Sequence, residues 1–83
     1  MSGTPRIITS IVGFTPAEWQ QINLAADALL RKGAPSSGLI ILPGRPELYV
    51  LRYAGPGGLT LELATDEEAA ALLAGGGAWT AGP

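Results

Sequence analysis

The sequence contains no cysteine and no histidine. Without cysteine there is no disulfide framework, no thiolate nucleophile and no thiolate metal ligand. Without histidine there is no imidazole base. Structural zinc sites and Ser-His-Asp chemistry are therefore excluded. Charge is also scarce, at 14% of residues against 47% hydrophobic, a balance that argues against a disordered chain. The five basic residues, Arg6, Arg31, Lys32, Arg45 and Arg52, are scattered, and the formal net charge is -2. Phosphate binding by counterion release needs clustered cations, so nucleic acid is not an expected partner. The longest purely apolar run, Leu39 to Leu42, is far too short to span a bilayer. The opening Met1-Ser2-Gly3-Thr4 lacks the charged and apolar regions of a signal peptide. The expected location is the cytoplasm, with no membrane association.

What is present reads as one small domain of 83 residues. Arg6 to Val12 is rich in β-branched residues and reads as a strand. Its two faces both carry Ile or Val, which predicts an inner strand rather than an edge. Phe14-Thr15-Pro16-Ala17-Glu18-Trp19 is a complete helix start. Thr15 is the N-cap, Pro16 takes the first helical position, and Glu18 closes a capping box. Phe14 and Trp19 form a hydrophobic staple across it. The helix is expected to run to about Lys32. Its core face is Trp19, Ile22, Ala25, Ala26, Leu29 and Leu30.

Short strands follow at Leu39 to Leu42, Glu47 to Tyr53 and Leu59 to Ala64. Pro43-Gly44 supplies a type II turn, and Gly55 to Gly58 another turn. Thr65 to Glu68 is a second capping box, opening a short helix to about Ala74. The order β-α-β-β-β-α predicts an α+β two-layer sandwich. Its sheet is four-stranded and mostly antiparallel, with both helices on one face. Residues 1–77 form the domain and 78–83 a flexible C-terminal tail, unless Trp79 docks.

Few residues suggest chemistry. Gly55-Pro56-Gly57-Gly58 joins two strands and has no lysine, unlike a phosphate-binding loop. Asp66, Glu67 and Glu68 suit the first turn of a helix better than a cation site. Glu18, Glu47, Glu62 and Asp27 have no spacing that pairs them for acid–base work. Neither a metal nor any other cofactor is expected, nor is catalysis.

Two surfaces are candidates for a partner. Ala17, Gln21, Leu24 and Ala28 lie opposite the core face of the long helix, rimmed by Gln20, Asp27 and Arg31. A solvated helix face normally carries more charge. Small neutral residues with a polar rim resemble an interface. The second candidate is the sheet face of Tyr49, Leu51 and Tyr53, which would be apolar if left uncovered. The function expected is a small non-catalytic protein-interaction module. It would serve as an inhibitor, adaptor or assembly factor of the kind carried by phages and mobile elements. It would bind a larger protein or pair as a homodimer. The alternative is a nucleic-acid or small-ligand binder using Tyr49, Arg52 and Tyr53 as a stacking surface. The capping boxes and turns are general folding devices and carry no family signature.

Overall fold

The computed structural model describes residues 6–32, 37–55 and 57–76, and the backbone of 78–80. In chain order the elements are β1 (Arg6–Ile8), α1 (Pro16–Lys32), β2 (Ser37–Ile41), β3 (Leu48–Gly55), β4 (Gly58–Leu63), α2 (Asp66–Ala74) and β5 (Ala78–Thr80). This is the α+β arrangement expected, with two helices on a mixed, mostly antiparallel sheet.

The sheet order is β1-β4-β3-β2-β5. The three central strands form an antiparallel meander, as their short connections require. Pro43 and Gly44 make the first reversal. Arg45 N–H donates to Leu42 O at 3.3 Å, and Gly44 takes φ +80, the left-handed value that a type II turn needs at its third position. The outer strands β1 and β5 run parallel to their neighbours β4 and β2.

Both helix starts form as the sequence predicts. Thr15 N–H donates to Glu18 Oε1 at 2.8 Å, and Glu18 N–H to Thr15 Oγ1 at 3.1 Å. The same reciprocal pair, 3.1 Å each way, links Thr65 and Glu68. Ile22, Ala25, Ala26 and Leu29 of α1 are buried on Ile40, Leu42, Tyr49, Leu51, Leu59 and Leu61, with Trp19 and Leu30 packed alongside.

Three expectations are corrected. The first strand stops at Ile8 and lies at a sheet edge. Thr9 diverts the chain: its hydroxyl donates to Leu61 O at 2.7 Å and accepts from Ile11 N–H at 3.1 Å. Such local side-chain bonds compete with a ladder. Ile7 and Ile11 still reach the core, while Ile8 and Val12 stay exposed. Second, Ala78–Thr80, expected to begin a tail, pairs in parallel with Leu39–Ile41. Residues 81–83 lie outside the described set.

Third, α2 does not share the face of α1. Successive strand residues point to opposite faces, and Leu39 and Ile40 are both buried, as are Tyr49, Val50 and Leu51. The register pairs Leu39 with Val50 and Ile40 with Tyr49. Ile40, Tyr49 and Leu51 belong to the α1 core, so Leu39 and Val50 face the other way. Arg52 shares that face and forms an ion pair with Glu68 of α2. α2 therefore covers part of the second face, with Ala69 as its buried residue.

The helical phase of α1 is testable by a pair of truncations. Ile22→Ala should lower unfolding free energy by about 2–5 kcal/mol. Leu24→Ala on the outward face should stay within about 0.5 kcal/mol. Chemical denaturation of both variants checks this, and equal losses would contradict the phase.

Candidate functional site

The most highly organised side-chain cluster forms where α1 starts. Phe14 packs edge-on against Trp19 at 5.3 Å and against Tyr49 at 5.4 Å between ring centroids. The Pro43-Gly44 turn delivers Arg45 over the Phe14 ring, 4.9 Å from its centroid, a cation–π contact. Arg45 grips Glu18 with two nitrogens. Nε reaches Oε2, and Nη2 reaches Oε1 at 2.8 Å. Nη2 also donates to Gly13 O at 2.9 Å. The Tyr49 hydroxyl donates to Glu47 Oε1 at 3.3 Å.

This geometry clamps; it does not suit proton transfer. Hydrogen bonds from Arg45 first, and from the Thr15 backbone second, hold the Glu18 carboxyl down to about 2 from an ordinary 4.5. A carboxylate so far below neutrality is a poor base. Arg45 is pushed further above its ordinary value, mainly by its bond to Glu18. The fork joins the loop before α1, the first helical turn and the β2–β3 connection. In the sequence Glu18 stands out as a capping residue with no acid partner, and Arg45 as one of five scattered cations. The available signal was an arginine held directly after a Pro-Gly turn.

The outward stripe of α1 is formed as expected. Ala17, Gln20, Leu24 and Arg31 are exposed, and Gln21 and Ala28 are half-buried. Leu24 is 51% exposed in the middle of the helix. Arg31 pairs with Asp27 at 2.8 Å along one side. The second candidate surface is not open. Tyr49 and Leu51 are buried beneath α1, and Tyr53 is half-buried on the same sheet face. These three are corrected from surface to core or core margin, because α1 needs an apolar face to dock on.

The stacking platform is corrected as well. Arg52 points to the opposite sheet face from Tyr49 and Tyr53. There it pairs with Glu62 across the β3–β4 hairpin and with Glu68 on α2. Glu68, one of the three acids of the first α2 turn, thus meets a guanidinium of the chain itself, as does Glu62. Among the described residues no group of three acids could hold a metal ion.

The chain matches no family model, no curated protein and no solved structure. Among the described residues, no helix is long and apolar enough to cross a membrane.

The Glu18 clamp carries a pH signature. Its folded pKa lies below the unfolded value, so its contribution is complete above about 4.5 and fades as pH falls toward about 2. Thermal unfolding of the wild type and Glu18→Gln at several pH values checks this. The stability gap between them should be widest above pH 4.5 and should narrow steadily toward pH 2. A gap independent of pH would mean that Arg45 does not favour the charged carboxylate.

Proposed function

We propose that this chain is a small, non-catalytic protein-interaction module of the inhibitor, adaptor or assembly-factor kind, acting in the cytoplasm. Its contact surface is the outward stripe of α1, and its partner there is a second copy of the chain. The observation that carries the reading is Leu24. It stands half-exposed midway along a helix whose opposite face packs on the sheet. Its neighbours on the stripe are small or neutral: Ala17, Gln20, Gln21 and Ala28.

The stripe complements itself about a two-fold axis. In an antiparallel pair of α1 helices crossing at Leu24, residues equally spaced on either side of it face each other across the pair. Gln21 then meets the partner's Asp27, an amide donor against a carboxylate. Gln20 meets the partner's Ala28. Ala17 meets the partner's Arg31, where a small side chain leaves room for the arginine stem. Leu24 packs on its own symmetry mate at the centre, where hot spots concentrate. A single helix face offers an interface at the small end of the range. Association is accordingly weak and concentration-dependent.

Sedimentation equilibrium over a wide concentration range tests the reading. The wild type should shift from monomer to dimer as concentration rises. Leu24→Glu would place two like charges together on the axis, and it should remain monomeric. Its folding stability should match the wild-type monomer within about 0.5 kcal/mol. A wild type that stays monomeric throughout, or a Leu24→Glu variant that still dimerises, would overturn the assignment.

A further inference from the structure

The two helices are held to the sheet very differently. α1 buries Ile22, Ala25, Ala26 and Leu29 against it. α2 buries only Ala69, half-buries Leu72, and turns Leu73 outward at 51% exposure. Yet α2 lies against β2 on the sheet face that carries Leu39 and Val50, and both are almost completely buried. A further tie is ionic. Arg52 on β3 bridges Glu62 on β4 and Glu68 on α2, and all three side chains are part-exposed, at 37%, 62% and 31%.

The boundaries of α2 are self-contained. Its capping box and its C-terminal bonds, Gly75 N–H to Ala71 O and Gly76 N–H to Leu73 O, involve only its own residues and their immediate neighbours. At the other side Ala64 N–H donates to Leu48 O at 2.9 Å, which fixes the chain just before the helix. α2 can therefore leave between two limits, Ala64 held on Leu48 and β5 paired with β2, without disturbing the α1 core.

We propose that α2 is a detachable cover over the second sheet face, with Arg52 as its latch. Elements with few buried apolar contacts open at lower free energy than the whole domain. Opening uncovers Leu39 and Val50. It joins them to Ile41 and Leu48, the next cross-strand pair on the same face, both half-buried. The result is an apolar strip hidden in the closed form and presented only in the open one. This inference is independent of the α1 surface, which lies on the other side of the sheet.

The chain has no cysteine, so a single introduced thiol reports one position. Val50→Cys probes the face under α2, and Ala26→Cys probes the α1 core; both are small changes at buried sites. Reaction with a thiol reagent under native conditions should modify Cys at position 50 at least about tenfold faster than at position 26. Adding Arg52→Gln should accelerate the first about threefold or more and leave the second unchanged. Equal rates at the two positions would overturn the proposal, as would acceleration of both by Arg52→Gln. If either thiol variant fails to fold, hydrogen exchange on the cysteine-free chain decides the matter. Amides of Ala69 to Gly75 should then exchange faster than those of Ile22 to Leu29, and equal protection would again overturn it.

Discussion

Tyr49, Val50 and Leu51 are consecutive in β3, and all three are buried. A pleated strand sends successive side chains to opposite faces, so this triplet demands cover on both sides of the sheet. The rest of the architecture answers that demand. β3 lies in the middle, flanked by β2 and β4. α1 supplies the thicker layer over Tyr49 and Leu51, and α2 a thinner one over Val50. An 83-residue chain has little material for two full covers, and the second is only nine residues long, with Ala69 its one buried residue.

Two arginines tie those covers to the sheet, in different environments. Arg45 sits low in an aromatic corner, over Phe14 and against Tyr49, with a two-pronged grip on Glu18. Its planar fork suits a carboxylate better than a lysine would. Arg52 works in a more open setting between Glu62 and Glu68, where water and salt weaken ion pairs. The same residue type thus secures one helix start and only loosely tethers the other helix. That contrast separates the rigid part of the domain from the part proposed to open.

The proposed surfaces follow from the same economy. The core side of α1 is fully committed to the sheet, so its opposite side is the stretch of helix presented outward. Leu24 and its small neighbours make that side better suited to another helix than to water. The second sheet face is different in kind: it sets Leu39 and Val50 beside Thr60, Glu62 and Arg52, and α2 occupies part of it. In the two proposals, one surface is permanently presented and the other conditionally so.

Local signals in the sequence determined most of the secondary structure. Both capping boxes, the staple of Phe14 on Trp19 and the Pro43-Gly44 turn depend on neighbours within a few residues. Their geometry is set by bonds and rotamers that the sequence states directly. The phase of α1 was legible for the same reason, since a 3.6-residue period fixes which side chains share a face. What only the tertiary structure decided was which body covers which face. Periodicity groups Tyr49 with Leu51 and sets Val50 apart, but it does not say that α1 lies on one group and α2 on the other. The end of β1 at Ile8 turned on a single hydroxyl, that of Thr9, finding Leu61 O more than fifty residues away in the chain. The partners of Arg45 and Arg52 came from separate elements brought together by folding. Long-range pairings of this kind leave no periodic trace, because charge and hydrogen-bond complementarity depend on distance in space rather than on spacing along the chain.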